Sequence, residues 1–395
     1  MKVKKIVSII LICCLCCGFS GCWDSVEIDR KGFVSTIAID VGPEISKKDE
    51  LKNRDSNKSL ENKNLEKLNL IFGYPNMSEL GPDKGSTATE KVLKVGCYSM
   101  ADGIMEASTK SSRDMSMEHT KLFIFSKELL MHQDTFKEVI EYLQREPSIN
   151  KNTKVVVVDG SAEEFVKFKP EMENNIEAYV NGLMENSQRN SAIFPIDLNT
   201  VFRKLIETNS VLIPVLKLDK EENDIVLDGA TLIKDFRYDS TIGTDELSNI
   251  SIVTGSTRSG KRVICKDDVT IDYVIDEVER QLKINYDENN NLVIDMELRI
   301  GGQLKNFKEG EKIFNDEEIK DLQGYFNNAL KEEFTNTIRY TQEELQTDLF
   351  GLQEYIEKYK PSIWKKVKDN WRGNYSEAKI NLEVKTKINT IGIIK

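Results

Sequence analysis

Gly255-Ser256-Thr257-Arg258-Ser259-Gly260-Lys261 has the spacing of a loop whose backbone amides and terminal lysine cradle phosphates. That chemistry needs a Ser or Thr hydroxyl at the eighth position for magnesium, and the loop must open a helix. Here the eighth residue is Arg262, and Arg262-Val263-Ile264-Cys265 reads as a strand, so a polar hairpin turn is the expectation. His119 follows Glu118 just ahead of a strand, an adjacency suited to acid–base work. No GxSxG elbow or other local signature of a reactive serine or cysteine accompanies it. The only histidines are His119 and His132, without HExxH spacing or neighbouring cysteines, so no metal site is expected. The residues point to no catalytic group, no cofactor and no enzyme.

Cys22 carries more specific chemistry. Met1 to Lys5 supplies Lys2, Lys4 and Lys5, and Ile6 to Cys17 is an apolar run broken only by Ser8. It is too short to cross about 30 Å of hydrocarbon as a helix, which needs roughly 20 residues. A charged start, a short apolar middle and small residues after it describe a signal peptide over residues 1–21. Phe19-Ser20-Gly21-Cys22 resembles the lipobox of bacterial lipoproteins. The resemblance implies a diacylglycerol on the Cys22 thiol, cleavage before Cys22, and acylation of the new α-amino group by a palmitate-type chain. Two or three acyl chains hold a protein persistently, at about 0.8 kcal/mol per buried methylene. No later stretch approaches eighteen apolar residues, so this lipid would be the membrane anchor.

Of seven cysteines, Cys13, Cys14, Cys16, Cys17 and Cys22 sit at the N-terminus, leaving Cys97 and Cys265 in the body. Export would permit a disulfide between them, and two buried free thiols fit the sequence equally. With 55 basic and 66 acidic side chains the net charge is −11. Loss of residues 1–21 removes three lysines, leaving 52 against 66, a charge of −14. Such a body does not suit nucleic acid and is repelled by anionic headgroups.

The elements that would hold these residues read as an α+β chain of three mixed α/β domains. The first spans 22–204: strands over Phe33–Val41, Leu68–Phe72, Lys121–Phe125 and Lys154–Val158 alternate with helices over 102–111, 135–144, 162–168, 176–185 and 195–207. Within it, residues 47–67 are a low-complexity loop too polar to bury surface. A small β-rich middle domain spans 205–265, where Pro214 places Val211–Leu218 at an edge or a bulge. The third spans 266–395: an antiparallel sheet, begun by a hairpin over 269–300, covered by a long amphipathic helix. Ile319, Leu322, Phe326, Leu330, Phe334, Ile338, Thr341, Leu345, Leu349, Leu352 and Ile356 recur every three or four residues, with Asp316 as the start and Gly351 as a division. A short helix after Pro361 carries Trp364, Val367 and Trp371 beside Lys365, Lys366 and Lys368. Its tryptophans read as core and its lysines as a solvated face, with headgroup or acidic-partner contact as the other reading. Ala378–Ile388 closes the chain as an exposed strand.

Cys22-Trp23-Asp24, Glu27-Ile28 and Ile37-Ala38-Ile39-Asp40 at one end, with Asp348-Leu349-Phe350-Gly351-Leu352, Tyr355-Ile356, Trp364 and Asn370-Trp371 at the other, resemble one family. It is the Ger(x)C lipoproteins, the C subunits of bacterial spore germinant receptors. Glu118-His119-Thr120-Lys121-Leu122 and Gly229-Ala230 fit its pattern more loosely. The resemblance implies a non-catalytic lipoprotein on the outer surface of the spore inner membrane, assembled with integral-membrane A and B subunits during nutrient-triggered germination. The competing reading is a solute-binding lipoprotein that captures a germinant directly. It predicts stabilisation of about 2.7 kcal/mol at a hundredfold excess of ligand over Kd.

Overall fold

The computed structural model describes residues 30–47, 65–79, 88–188, 195–257, 259–266, 269–289, 291–306 and 315–391. The expected signal peptide, Cys22, the residues matched at 22–28, most of the 47–67 loop and Arg258 lie outside them. The chain runs through β1 (Lys31–Phe33), β2 (Thr36–Val41), β3 (Leu68–Pro75), β4 (Glu90–Cys97), α1 (Met100–Lys110), β5 (Asp114–Ser116), β6 (Leu122–Ser126), α2 (Lys127–Met131), α3 (Gln133–Arg145), β7 (Lys154–Val158), α4 (Ala162–Lys167) and α5 (Ile176–Gln188). It continues through β8 (Ile196–Asp197), α6 (Leu198–Glu207), β9 (Ser210–Asp219), β10 (Asp224–Lys234), β11 (Arg237–Ile242) and α7 (Thr244–Thr254). Then come β12 (Gly260–Lys266), β13 (Val269–Tyr286), β14 (Leu292–Asn306), α8 (Asp316–Glu343), α9 (Leu352–Tyr359), α10 (Pro361–Val367), α11 (Trp371–Glu377) and β15 (Lys379–Ile391).

The mixed α+β class expected from the sequence is present. Continuous apolar runs in β6 (LFIFS) and β7 (KVVVV) suit strands covered on both faces. Because side chains alternate, Phe123, Phe125, Val155 and Val157 enter one core with α1, α2, α3 and α6, while Leu122, Ile124, Val156 and Val158 enter another with α4 and α5. Each such side chain, fully buried, contributes about 1.5–3 kcal/mol. The sheet order is β11-β10-β9-β7-β6-β2-β3-β4, with β8 added to β7; β2, β6, β7 and β9 are parallel neighbours. β2 and β3 pair antiparallel across the 47–67 loop, from Thr36 opposite Gly73 to Val41 opposite Leu68. The polar loop stops short of Lys67, which is buried and ion-paired through Nζ to Glu138 of α3.

The span 205–265, expected as a small domain of its own, is divided between two bodies. β9, β10 and β11 extend the first sheet, whereas β12 pairs with β13 in the second. Pro214 therefore lies in an internal strand. Its register partner is Ala230, at the end of a bulge where Asp228 and Gly229 are unpaired, so the missing proline N–H falls where the ladder is already broken. Gly229 has φ 92°, and a Cβ there would meet the Ile242 carbonyl oxygen at 2.0 Å.

The second sheet has the order β12-β13-β14-β15 and corrects one expectation: β15 joins β14 in parallel, from Val293 opposite Lys379 to Leu304 opposite Ile391. The chain leaves the far end of β14, and α8 carries it back across the sheet, so β15 starts where β14 started. Leu322, Phe326, Leu330, Phe334 and Ile338 of α8 pack on Tyr273, Ile275, Ile294, Met296, Leu298 and Ile300. The helix cap is Asn315, one residue before the expected start; its side chain accepts from Glu317 and Glu318 N–H, and the Glu318 carboxylate accepts from Asn315 N–H. The helical period overran the helix, which ends at Glu343. Leu345 and Leu349 keep the spacing because they reach the same core from a loop in which Gln346 has φ 47°, and Leu352 and Ile356 resume it on α9. The outer edge of β15 is not bare: Thr386 N–H donates to Asn327 Oδ1 (2.6 Å) and Ile388 N–H to Gln323 Oε1 (3.0 Å). These bonds satisfy ladder donors that would otherwise invite another strand.

Candidate functional site

Asp348-Leu349-Phe350-Gly351-Leu352 lies between α8 and α9, where the two bodies meet. Asp348 Oδ1 accepts from Phe350 N–H (3.0 Å) in the turn before α9, and Oδ2 from Gln353 N–H (2.6 Å) in its first turn. Enclosure pushes this carboxyl above its ordinary value, although the bonds from Gln353, Leu352 and Phe350 N–H oppose the shift. Gly351 takes φ 69°, the left-handed conformation that turns the chain into the helix. Phe350 and Leu352 are fully buried, and the Phe350 carbonyl accepts from Arg280 Nη1 at 2.7 Å. Arg280 is lowered by burial, with Asp348 the foremost charge opposing that shift. Nearby, the buried Tyr375 hydroxyl and Thr341 Oγ1 are 2.6 Å apart, and Gln342 Nε2 donates to the carbonyls of Tyr375 and Ala378.

While one face of α9 is held in this core, its other face meets the first body. Lys204 Nζ pairs with Glu354, Arg203 Nη1 lies 3.6 Å from the same carboxylate, and Gln353 Nε2 donates to Glu207 O at 3.0 Å. Lys234 Nζ donates to the Leu345 carbonyl, and Arg372 Nη2 is 3.3 Å from Asp235 Oδ2. Exposed pairs of this kind contribute at most about 1 kcal/mol each. The stronger tie is shared burial: Ala230 and Leu232 of β10, Ile242 of β11, and Leu247, Ile250, Ile252 and Val253 of α7 belong to the same core as β13, β14 and α8. The motif therefore fixes geometry between two bodies and presents no reactive group.

The other sequence candidates have structural roles. Gly255, at φ 72°, ends α7, and its N–H bonds to Ile252 O. The GxxxxGK spacing thus begins at a helix C-terminus, whose exposed carbonyls repel phosphate, and leads into a strand as expected, so the turn joins a helix to a strand and is not the expected hairpin turn. Arg262, at the position where magnesium binding would need a hydroxyl, donates from Nη2 to Asn249 Oδ1 (2.6 Å) and Ser248 Oγ (3.1 Å). His119 is exposed with its ring edge on Phe33, centroids 4.9 Å apart; among the described residues it makes no ion pair with Glu118. Within Glu118-His119-Thr120-Lys121-Leu122 it is Thr120 that is buried, its carbonyl accepting from Thr153 Oγ1 at 2.9 Å beside the start of β7. Among the described residues no group of three or more His, Cys, Asp or Glu side chains is arranged to hold a metal.

Asp40, at the end of the Ile37–Asp40 motif, accepts from Ala162 N–H at 3.2 Å and so caps α4. Glu90 is a polar anchor that sequence reasoning missed: it accepts from Ser35 Oγ and from Ile176 N–H, both at 3.1 Å, and burial raises its carboxyl. Arg280 was also missed, though it carries a signal. It sits at an inward position of β13, in step with Val278, Leu282 and Ile284.

Cys97 and Cys265 are both free thiols, and only Cys97 is buried. Burial pushes the Cys97 thiol up to about 12. A maleimide applied to the native protein is expected to label Cys265 within minutes and Cys97 only after denaturation. Equal labelling of both in the native state would contradict this arrangement. The tryptophans also separate: Trp371 is buried, whereas Trp364 is half-buried and meets it edge-on at 6.1 Å. Trp371→Ala is expected to cost about 3–5 kcal/mol in thermal or denaturant unfolding, and Trp364→Ala about half that. Trp371→Phe should be much milder, since Trp371 Nε1 has no hydrogen-bond partner among the described residues.

The chain matches known proteins along nearly its whole length. Residues 24–218 match the family described as the spore germination protein N-terminal domain, and residues 228–392 match the one described as spore germination B3/GerAC like, C-terminal. Spore germination protein YndF of Bacillus subtilis (strain 168) is 24% identical over 405 residues, covering 99% of this chain and 98% of that protein. Spore germination protein A3 of the same organism is 22% identical, with 99% and 98% covered. The crystal structure of the GerBC protein superposes with a TM-score of 0.58 at 18% identity, over 81% of this chain and 94% of that one, a likeness of fold.

Proposed function

From the premise that this chain belongs to the GerAC-like family of spore germination proteins, the C subunits of germinant receptors, we propose that it is a non-catalytic, lipid-anchored subunit. In this reading it stands on the outer surface of the spore inner membrane and supports assembly and signalling with integral-membrane A and B subunits. The observation that carries the proposal is the joint at Asp348–Leu352. The motif by which the sequence resembles the family supplies a helix cap, a left-handed glycine and two core side chains, which is what a rigid coupling between bodies requires. In this reading acyl chains on Cys22 supply the anchor; among the described residues no helix is long and apolar enough to cross a membrane. Tethering beside its partners raises the effective concentration of a weak protein contact to about the mM range when the linker geometry fits.

Deleting the gene tests the proposal. Spores without the protein should lose the response to one set of nutrients and keep the response to others, and the intact gene should restore it. A germination response unchanged toward every nutrient would overturn the reading.

A further inference from the structure

Between Tyr355 and Arg372 the sequence holds six basic and two acidic side chains, in a chain whose net charge is −11. The basic groups fall along α9, α10 and the residues that flank α10. Lys358, Lys365, Lys366 and Lys368 are exposed and Lys360 half-buried, and none of the five forms an ion pair among the described residues. Aromatic rings lie among them. Tyr359 is 56% exposed with Lys358 Nζ 5.1 Å from its centroid, Lys366 Nζ is 4.9 Å from the Tyr286 ring, and Trp364 is half-buried beneath. Ammonium groups ringed by amphipathic aromatics suit a layer with phosphates outside and acyl chains within.

From this face we infer a second contact with the membrane: α9 and α10 dock on anionic phospholipid headgroups. The inference rests on the proposed anchoring for its setting, and two observations favour lipid as the occupant. Only seven residues separate Cys22 from Arg30, eight backbone steps, so the tether reaches at most about 28 Å even when fully extended. A body of overall negative charge held that close to an anionic surface is repelled wherever it presents acid, and is attracted where unpaired lysines cluster. The face thus orients the body as well as holding it.

The test uses the chain from residue 22 onward with Cys22→Ala, which carries no lipid, and sedimentation with vesicles. Vesicles of equal phosphatidylglycerol and phosphatidylcholine should bind it at low salt, pure phosphatidylcholine vesicles should not, and 0.5 M salt should release it. With about 1 kcal/mol per lysine near the surface, K365Q/K366Q/K368Q should weaken binding about 100-fold. K320Q/K331Q/K387Q removes the same charge elsewhere and should bind within a few-fold of the parent. Equal binding to neutral vesicles, or equal losses in the two triple variants, would overturn the inference. So would an absence of vesicle binding with K365Q/K366Q/K368Q instead losing its association with other spore-membrane proteins, which would make the face a protein contact. Because the assay uses unlipidated chain, its failure leaves the anchoring reading standing, and a bare Cys22 in spores would leave this result unaffected.

Discussion

Cys22→Ala is expected to move the protein from the membrane fraction of spores to the soluble fraction and to impair nutrient germination through its receptor, while leaving its melting temperature unchanged. The reason is quantitative. Two or three acyl chains at about 0.8 kcal/mol per buried methylene far exceed what a surface patch of a few lysines supplies, at about 1 kcal/mol each. The variant should therefore detach at physiological ionic strength even if the α9–α10 face retains weak affinity. Fractionation of spore lysates with immunodetection reads the outcome. A variant that stays fully membrane-bound after a salt wash would show that something other than the lipid holds it.

Phe350→Ala should produce the largest loss of stability among the joint residues, about 3–5 kcal/mol for a fully buried ring whose site cannot collapse. Its neighbours leave little room for relaxation. The Phe350 carbonyl is tied to Arg280, its N–H to Asp348, and the next residue has a left-handed backbone. Asp348→Asn separates the cap from the core, because it keeps the shape and one acceptor while losing the second. It is expected to cost about 1–3 kcal/mol by orphaning a backbone N–H at the start of α9. Both values come from denaturant unfolding, and if α9 couples the bodies, both variants should also lower the transition of the first body. A Phe350→Ala protein that unfolds like the parent would mean that the joint does not bear on stability.

Much of this architecture was legible in the sequence because burial leaves a periodic mark. Lys154–Val158 read as a strand since five consecutive positions suit a sheet covered on both faces, and α8 read as a helix from its apolar spacing. The same signal misled at Leu345 and Leu349, because periodicity reports which side chains reach the core, not whether the backbone between them is helical. Strand partners were less legible. Nothing local in Lys379–Ile391 states whether its neighbour runs parallel, which is decided by the end of the sheet to which α8 returns the chain. The middle segment divided for a similar reason: β9 to β11 are hairpins by local pattern, yet their outer neighbour β7 lies more than fifty residues upstream.

The joint was half legible. Asp348–Leu352 stood out as a motif, but its role depends on Arg280 and on α6, which sequence distance hides. Gly229 was visible as part of a motif, whereas its cause, a 2.0 Å clash of any Cβ with the Ile242 carbonyl, requires the folded bulge. Arg262 stood where phosphate chemistry would need a hydroxyl, and the fold uses it to tie β12 to α7.

The most direct measurement is cross-linking inside intact dormant spores, with a photoreactive residue placed at the exposed Ile206 of α6 and its products identified by mass spectrometry. An acylated receptor subunit predicts adducts with multispanning spore-membrane proteins, together with an N-terminal peptide that begins at Cys22 and carries fatty acyl groups. Adducts confined to soluble proteins, on a chain whose Cys22 is unmodified, would contradict the account.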